Sequence, residues 1–522
     1  MDQVEHAIAG PPEPLPAELL IAPLAEAEAI PIAEALPAEP EPPLVEPADD
    51  LQILVTPTAS RRLVESLVIF ISAILFLRAM AVEPFGVPTG SMAPTLTGNH
   101  KFLACPRCSF PIRVGESDKL HGTYPKVACP NCGKPEVDMN EGVELAGDRL
   151  LVDKNLYSVR SPRRWEIAVF RCPSDMTKPY VKRVIGLPGE RIQIKEGDIL
   201  VNEQLARKTL SQCRETRVTV FDMNYPPKVD GWLRRWMVEN KLPADPAEPK
   251  SESGLTLADR ELRLDTLWAP RVPVWIMYKH QRFDEPAGIE REEILRDIFV
   301  YNGAAADDHA WPVYDFSLEF ELEVLEGSGS ISCRMTDGQD VFIASHPIGN
   351  SAEESQLRQE GFGIVRSTQR RPLLVKKKHF VEMAFVDRRV SFAIDGKEVL
   401  LAYDLEPATK RVELTSPFAL GLQGVNVVIR DLKLYRDIYY RSSGEKAIRV
   451  PLLLGSDEYF MLGDNSANSN DSRSWPIPGV PERNFLGKPF LLHQPSRLTH
   501  VSFGGRERVF QSIDWSRIRF LR

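Results

Sequence analysis

Basic residues are missing from the first 50 positions of the chain, which contain 12 Asp and Glu but no Lys or Arg. Phe, Trp and Tyr are also absent there, whereas 11 of the 43 prolines fall in this stretch. A segment built from Pro, Ala and Glu cannot bury enough apolar surface to offset the entropy lost on ordering. We therefore expect residues 1–58 to be a disordered acidic tail.

A strong charge of either sign is missing from the rest of the chain. Of the 73 Asp and Glu in the sequence, 61 lie outside the tail and are matched by 64 Lys and Arg, an excess of three basic groups. This balance gives no electrostatic reason to expect nucleic acid as a partner. The length of 522 residues, with 43% hydrophobic residues, predicts a globular protein of about two to four modules.

Long apolar runs are scarce as well. The candidate span, residues 61–82, has an apolar core of only 11 residues, Leu67 to Leu77, whereas a bilayer requires about 20 apolar residues. Glu65 and Arg78 lie near the ends of the span, where long side chains can reach the headgroups, so we expect a single transmembrane helix. The Arg61–Arg62 pair predicts a cytoplasmic N-terminus and an extracytoplasmic body.

Four short segments stand out in the body of the chain. They are PTGSMAPTL around Ser91, GDRLLVDKNLY from Gly147, YVKRVIGLPGE around Lys182, and GDNSANSNDSRSW from Gly463. A serine in a Pro/Gly-rich loop or a lysine on a strand is usually an ordinary surface residue. The alternation around Lys182, however, places it on the same strand face as Tyr180 and Val184, among apolar neighbours.

In this order, and behind a predicted membrane anchor, the four segments resemble the sequence boxes of type I signal peptidases. The resemblance implies a mainly antiparallel β fold, with Ser91 as nucleophile and Lys182 as general base. A buried lysine suits this role, because burial lowers its pKa and leaves a neutral amine that can accept the serine proton. No catalytic cofactor is implied.

The same resemblance assigns supporting roles to further residues. The backbone N–H of Ser91 and the hydroxyl of Thr89 would bind the oxyanion. Ser469 would orient the lysine, Asp471 and Arg473 would form a supporting ion pair, and residues 463–465 would form the adjoining turn. The sequence has Ser-Ala-Asn at 466–468, where many relatives carry an Arg-Asp pair.

The implied substrates are secretory precursor proteins with small residues at the first and third positions before the cut. The bilayer and the protein-export machinery are the other implied partners, and the inner membrane is the implied location. The anchor itself ends in a small-x-small pattern, Ala79-Met80-Ala81. Self-cleavage after Ala81 is therefore an alternative to an ordinary helix end.

Two CxxC pairs, Cys105/Cys108 and Cys129/Cys132, are separated by 20 residues. This spacing is typical of a ribbon that binds structural zinc with four thiolates. Two disulfides are the alternative, since thiols outside the cytoplasm can oxidise. The remaining cysteines, Cys172, Cys213 and Cys333, are scattered and are predicted to be buried thiols.

The distance between Glu190 and Gly463 indicates a long insertion. DFSLEFELEV alternates apolar and polar residues from Phe316 to Val324, with the apolar ones facing inward, and turns are predicted at Asp387-Arg388 and Asp395-Gly396. Surface loops are predicted at 241–254 and around 345–360. Segments of this stretch weakly resemble concanavalin-like or laminin-G-like lectin sandwiches, which makes sugar binding one option and an inert or protein-contacting module the other.

The predicted fold class is mainly β, and the chain is expected to divide into five modules. They are the cytoplasmic tail 1–58, the transmembrane helix 61–82, an N-terminal peptidase segment 83–212 that contains the ribbon 101–136, the inserted β-sandwich 213–445, and a C-terminal peptidase segment 446–522. A tethered binding or scaffold protein that has lost activity and works through its lectin-like insertion is the alternative function. A relative of the self-cleaving Ser/Lys repressors is disfavoured, because no DNA-binding module is evident.

Overall fold

A computed structural model describes residues 59–116, 119, 121–227, 235–238, 255–258, 260–269, 271–284, 288–298, 301, 310–503 and 506–521. The predicted tail, residues 1–58, and the predicted loop at 241–254 lie outside this set. The chain divides into two compact units, Met1–Leu67 and Val68–Arg522. Except for the first residues of the N-terminal helix, every element below belongs to the second unit.

The described residues contain three α-helices: α1 (Ala59–Met80), α2 (Leu156–Val159) and α3 (Leu210–Glu215). Helix α1 covers most of the predicted span 61–82, but none of the described helices has both the length and the apolarity needed to cross a membrane. Helix α3 begins at a capping box in which Thr209 and Gln212 bond each other's backbone N–H. The predicted module boundary at 212/213 falls inside this helix.

Strands that precede the insertion contribute to the ribbon, to the main sheet and to a separate four-stranded sheet. They are β1 (Val82–Gly86), β2 (His100–Ala104), β3 (Pro111–Gly115), β4 (Lys126–Val127), β5 (Val137–Asp138), β6 (Val143–Leu145), β7 (Arg149–Asp153), β8 (Ile167–Cys172), β9 (Asp175–Gly186), β10 (Arg191–Lys195), β11 (Asp198–Val201) and β12 (Gln204–Leu205). The ribbon, predicted at 101–136, consists of the sheet β3-β2-β6 and the pair β4-β5. It therefore extends to Leu145.

The insertion contributes a second group of strands. They are β13 (Arg217–Asp222), β14 (Trp236–Val238), β15 (Leu255–Ala258), β16 (Glu261–Asp265), β17 (Val274–Tyr278), β18 (Gln281–Asp284), β19 (Ile289–Glu292), β20 (Phe316–Thr336), β21 (Val341–Ile348), β22 (Ser355–Gln359), β23 (Gly363–Thr368), β24 (Lys378–Val386), β25 (Arg389–Ile394), β26 (Lys397–Glu398), β27 (Tyr403–Asp404) and β28 (Phe418–Asp437).

The remaining strands follow the insertion. They are β29 (Leu452–Leu453), β30 (Glu458–Leu462), β31 (Gly479–Pro481), β32 (Phe485–Leu492), β33 (Ser496–Phe503), β34 (Arg506–Ile513) and β35 (Arg519–Phe520). The main sheet has the order β1-β7-β32-β8-β9-β30-β31, with β35 beside β32, and the separate four-stranded sheet has the order β12-β11-β10-β29. Since β32 lies between β7 and β8, strands from both sides of the insertion build one antiparallel sheet. The predicted mainly β fold is confirmed.

The long strands β20 and β28 organise the insertion. They pair with each other along most of their length, and register shifts bend them between Gly327 and Ser330. The apolar residues predicted to face inward on β20 are at most 1% exposed and share one core with β28; they are Phe316, Leu318, Phe320, Leu322 and Val324. This alternation therefore places one face of the strand in the core.

Both predicted turns of the insertion are confirmed, and one predicted loop is wrong. Asp387-Arg388 joins β24 to β25 and Asp395-Gly396 joins β25 to β26, and all four residues have positive φ, as two-residue hairpin turns require. The stretch around 345–360 is mostly strand, because β21 and β22 occupy it and pair with each other. Only residues 349–354 connect them.

A buried charged group joins the segment that precedes the insertion to the insertion itself. Lys208 is 2% exposed, and its Nζ lies 3.0 Å from Asp387 Oδ2 and 2.8 Å from Asp437 Oδ2. Thr216 donates a hydrogen bond to the same Asp437 carboxylate at 2.6 Å. These contacts hold α3 against the end of β28, where the insertion begins and ends.

Candidate active site

The segment that follows β1 carries Ser91 in a single turn of 3-10 helix, Gly90–Met92. Two of its carbonyl groups accept local hydrogen bonds, since Ala93 N donates to Gly90 O at 3.0 Å and Leu96 N donates to Met92 O at 2.9 Å. Met92, Ala93 and Leu96 are at most 1% exposed. The buried neighbours therefore anchor the turn while Ser91 itself remains partly exposed.

Lys182 lies on β9 and points toward this turn. Its Nζ is 2.5 Å from Ser91 Oγ, and the residue is 3% exposed. The pKa of Lys182 is lowered from 10.5 to about 8, chiefly by burial; the Asp471 carboxylate opposes this shift and the Arg473 guanidinium adds to it. A substantial fraction of the amine is therefore neutral near pH 8.

The last of the four sequence segments lies directly behind the lysine. Asp471 and Arg473 form a buried ion pair, with Nη2 to Oδ2 at 2.7 Å and Nε to Oδ1 at 2.8 Å. Although burial alone would raise the pKa of Asp471, the Arg473 guanidinium holds it below its usual value. The Gly463 amide donates to the same carboxylate at 3.1 Å. The pair thus supplies one fixed negative and one fixed positive charge beside Lys182.

Ser469 lies at the same place but does not contact the lysine as expected. Among the described residues its Oγ has no hydrogen-bond partner. A Cβ on Gly463 would meet this Oγ at 2.2 Å and the Ser91 carbonyl oxygen at 2.4 Å. Glycine at 463 therefore allows the Ser469 hydroxyl and the backbone of Ser91 to approach each other closely.

A second buried ion pair was not predicted from the sequence. Arg183, the neighbour of Lys182 on β9, donates to Asp464 through Nε at 2.8 Å and Nη2 at 2.6 Å, and Arg183 is 1% exposed. Thr95 donates to Asp464 Oδ2 at 2.5 Å. The alternation on β9 placed Arg183 opposite Lys182, but no sequence signal indicated that this other face is buried too.

The residue after Asp464 holds the turn that carries Ser91 directly. Asn465 donates from its side-chain amide to Gly90 O at 3.0 Å and from its backbone amide to Ser91 O at 3.1 Å. The predicted turn at 463–465 therefore contacts the site directly, because Asn465 holds the carbonyl groups of Gly90 and Ser91.

The insertion also reaches the turn that carries Ser91. A Cβ on Gly90 would meet Tyr301 Cε1 at 2.0 Å, so the Tyr301 ring packs against the glycine next to Ser91. Tyr301 is 1% exposed, and its hydroxyl donates to Asn99 O at 3.4 Å. Sequence reasoning did not find this contact, because a lone tyrosine in a long insertion carries no positional signal.

Ser91 and Lys182 lie at the base of a cleft of about 440 Å³. Its walls are formed by residues 85–92, which include Thr89, and by residues 178–182, with Asn468 and Asn470 at one end. β1 is an edge strand of the main sheet, and the first half of β9 pairs only with β8 among the described strands. Both walls therefore offer backbone groups to an extended peptide.

The four predicted metal-ligating cysteines come together away from this cleft. Their Sγ atoms all lie within 4.8 Å of one another, and all four residues are buried. Cys172, Cys213 and Cys333 are buried thiols, as predicted. The cysteines of the ribbon are therefore separate from the Ser91–Lys182 pair in space as well as in sequence.

We expect the rate of any reaction that uses this pair to rise with pH and to reach half its maximum near pH 8. The neutral form of Lys182 is the one that accepts a proton, and its pKa is about 8; below that value the amine is increasingly protonated. The profile of kcat/KM against pH for peptide cleavage checks this. A half-maximum near the free lysine value of about 10.4 would contradict it.

Comparison with known proteins gives one family match. The family model described as "Signal peptidase, peptidase S26" matches residues 135–245 and 391–493. These ranges include Lys182 and the segment from Gly463, whereas Ser91 lies before them. The matched residues thus include Lys182 and both buried ion pairs of the site.

Two relatives illustrate the similarity. "Signal peptidase I" of Rickettsia massiliae (strain Mtu5) is 31% identical over 144 residues, which is 28% of this chain and 44% of the relative. "Signal peptidase I" of Rickettsia prowazekii (strain Madrid E) is 31% identical over 135 residues, or 26% of this chain and 40% of the relative. The chain thus spans less than half the length of the curated relatives that it matches.

Solved structures match with low scores. A carbohydrate binding module, CBM66 from Bacillus subtilis, is 11% identical, with a TM-score of 0.23 over 38% of this chain and 94% of that chain. A Bacillus subtilis protein of unknown function with a galectin-like fold is 10% identical, with a TM-score of 0.26 over 42% of this chain and 97% of that chain. A likeness at these scores says nothing about what the insertion binds.

Proposed function

We propose that this protein is a serine endopeptidase that removes signal peptides from secreted precursor proteins. The observation that carries the proposal is the 2.5 Å distance between Ser91 Oγ and the Nζ of a buried lysine, at the base of a cleft with extended walls. The similarity to signal peptidases I, which includes Lys182 and the 463–475 segment, names the reaction class.

The chemistry follows from the two side chains. Neutral Lys182 accepts the Ser91 hydroxyl proton as Oγ bonds to the scissile carbonyl carbon. Collapse of the tetrahedral intermediate breaks the C–N bond, and the lysine gives its proton to the leaving amine. The signal peptide is then an ester of Ser91, and a water molecule, deprotonated by the same amine, releases it.

The oxyanion requires donors on the side of the carbonyl away from Lys182. The Ser91 backbone N–H and the Thr89 hydroxyl are the candidates, because Thr89 lines the same cleft two residues before the nucleophile. One donor of this kind contributes about a hundredfold to a thousandfold in kcat. Asn465 supports the geometry, since its two bonds hold the carbonyls of Gly90 and Ser91.

The cleft favours an extended peptide with small side chains near the cut. Apolar groups of Phe85, Val87, Met92, Tyr180 and Val181 are among its lining residues. Such walls suit the end of a signal peptide, and we propose small residues at the first and third positions before the scissile bond. Backbone pairing with β1 and β9 would align the peptide over Ser91.

We also propose that the protein works at a membrane surface, with helix α1 as its anchor. The helix exposes apolar side chains, including Leu63, Ile69, Phe70 and Phe76, each at least 63% accessible. Exposed apolar groups of this number require a lipid or protein partner. None of the described helices meets the length and apolarity of a membrane span, so we propose the single-pass inner-membrane topology from the sequence alone, and the Arg61–Arg62 pair favours a cytoplasmic N-terminus.

The alternative of an inactive tethered binding protein has less support. A chain that had lost activity would not be constrained to keep a buried lysine against a serine hydroxyl, with two buried ion pairs behind it. Burying a charged group is costly, so such a group persists where it has a role.

Incubation of the purified full-length protein with a model precursor tests the proposal. The precursor carries an apolar segment that ends in Ala-x-Ala, and its cleavage is followed by intact mass. We expect one cut after the second alanine, and Ser91→Ala should lower the rate by at least about a thousandfold. Ser158→Ala, an exposed serine on α2, is the matched control and should retain full activity.

Two results would contradict the proposal. One is equal cleavage by the wild type and Ser91→Ala, which would assign the activity to another group or a contaminant. The other is no cleavage of any Ala-x-Ala precursor by folded wild-type protein. A precursor with a bulky residue in place of the second alanine serves as the substrate control and should remain intact.

A further inference from the structure

The four cysteines of the ribbon form a compact, closed cluster. Cys105 Sγ lies 3.7 Å from Cys132 Sγ, and Cys108 Sγ lies 3.6 Å from Cys129 Sγ. Zn–S bonds of about 2.3 Å place the sulfur atoms of a tetrahedron about 3.8 Å apart, whereas a disulfide requires about 2.05 Å. The sulfur positions therefore fit four ligands around one ion and not two disulfides.

The backbone around the two CxxC pairs is arranged in the same way twice. Cys105 N donates to Phe110 O and Ser109 N donates to Cys105 O, both at 2.8 Å. In the second pair, Cys129 N donates to Lys134 O at 2.8 Å and Gly133 N donates to Cys129 O at 2.9 Å. The residue after each pair has positive φ, 64° at Ser109 and 70° at Gly133. Each of the two equivalent turns thus places two thiols at the same shared site.

The ribbon has little else to hold these turns together. Its buried apolar cluster consists of ten residues, and four of them are the cysteines; the others are Ile112, Val114, Tyr124, Val127, Val137 and Met139. Units this small rarely bury enough surface to fold without a metal or cross-links. A bound ion would supply the missing stabilisation.

The tips of the two turns contact the insertion. At the third position of the first pair, Arg107 lies 4.0 Å from the Phe283 ring centre and pairs with Glu290 at 3.0 Å. At the same position of the second pair, Asn131 accepts from Asp222 N at 2.7 Å and donates to Tyr225 O at 2.9 Å.

Gly133 completes this interface. Its carbonyl accepts a hydrogen bond from Phe283 N at 3.3 Å, and a Cβ at this position would meet Arg282 Cα at 2.8 Å. The first turn is tied to the second, because Arg107 Nη1 donates to Cys132 O at 3.2 Å. The residues that set the shape of the cysteine site are thus the same ones that contact strands β13, β18 and β19.

We propose that the four cysteines bind one Zn²⁺ and that this ion fixes the surface by which the ribbon holds the inserted β domain. The ribbon begins at His100, directly after the Ser91 segment, and the insertion contributes Tyr301 against Gly90. The ion therefore stabilises the two elements that flank the turn that carries Ser91. Any consequence of this stabilisation for catalysis rests on the proposed peptidase function; the metal site and its contact with the insertion do not.

Metal content of the full-length protein tests the ion itself. We expect about one zinc per chain by inductively coupled plasma mass spectrometry, and about a tenfold loss in Cys129→Ser. Cys333→Ser, a buried thiol in the core of the insertion, is the matched control and should keep its zinc. Replacement of the bound zinc by Co²⁺ in the wild type should give the visible absorption of tetrahedral thiolate coordination. This measurement tests the site even if the Cys129→Ser variant fails to fold.

Hydrogen exchange tests the contact with the insertion. Removal of zinc by a chelator should raise exchange at residues 220–225 and 281–292 by at least about tenfold, whereas β24 and β25, far along the sheet, should not change. Asn131→Ala should raise exchange at 220–225 while zinc remains bound. Neither measurement uses cleavage, so failure here is distinguishable from failure of the peptidase assignment.

Several outcomes would overturn the proposal. They are folded wild-type protein with no stoichiometric zinc and no tetrahedral Co²⁺ spectrum, disulfides among the four cysteines in peptides mapped without reductant, or zinc retained in Cys129→Ser. Unchanged exchange at 281–292 after metal removal would overturn the claim that the ion fixes the contact with the inserted domain.

Discussion

Lys182→Met is expected to lower kcat/KM for precursor cleavage by at least about a thousandfold while leaving the fold intact. Methionine keeps most of the volume of the lysine side chain but has no amine, so nothing accepts the Ser91 proton. Because the lysine is 3% exposed, loss of its amine also removes a buried polar group, and the free energy of unfolding should not fall. Steady-state cleavage and chemical denaturation of the same preparations measure both quantities.

A lysine outside the cleft provides the matched control. Lys195 is exposed at the end of β10, so Lys195→Met should change kcat/KM by no more than about twofold. Lys182→Arg should be as inactive as Lys182→Met, because a guanidinium stays protonated at any working pH. Wild-type rates in Lys182→Met would show that another group takes the serine proton.

Asp464→Ala is expected to lower the free energy of unfolding by about 3–5 kcal/mol. The substitution leaves Arg183, which is 1% exposed, without the carboxylate that it contacts at 2.6 Å and 2.8 Å. It also removes the acceptor of the Thr95 hydroxyl. Denaturant unfolding followed by fluorescence measures the change, and cleavage should fall too, because the adjacent Asn465 holds the carbonyls around Ser91.

An exposed ion pair provides the comparison for this effect. Asp457 pairs with Arg483 at 3.4 Å, and their side chains are 54% and 76% accessible, so Asp457→Ala should cost less than about 1 kcal/mol. The double variant Arg183→Met with Asp464→Leu should recover much of the lost stability, since no charge is then left buried alone. Equal losses for Asp464→Ala and Asp457→Ala would refute the importance of the buried pair.

Much of the site could be predicted from the sequence because it consists of short local patterns. The alternation on β9 correctly placed Lys182 among apolar residues, and the order of the four segments led to its pairing with Ser91 from 91 positions away. The same kind of pattern correctly identified the inward face of β20 from Phe316 to Val324. Local patterns were therefore enough to predict both the fold class and the pairing of Ser91 with Lys182.

The features of the site that were not predicted depend on contacts between distant segments, which a single sequence does not reveal. Arg183 is buried only because Asp464, 281 positions later, lies opposite it, and Tyr301 matters only because Gly90 has no side chain. The loop predicted around 345–360 failed for another reason. Its polar residues lie on both faces of β21 and β22: Ser345 and Gln356 are half-buried partners across the pair, whereas His346 and Ser355 are buried.

The central claim about the chemistry is that Ser91 is the nucleophile, and the mass of the peptide that contains it is the most direct test. Full-length protein is mixed with the Ala-x-Ala precursor, quenched in acid within one turnover, digested and analysed by mass spectrometry. We predict that the Ser91 peptide carries the acyl group of the signal peptide as an ester, and that no adduct forms in Lys182→Met. Cleavage without an adduct on Ser91, or with an adduct on another residue, would contradict the account.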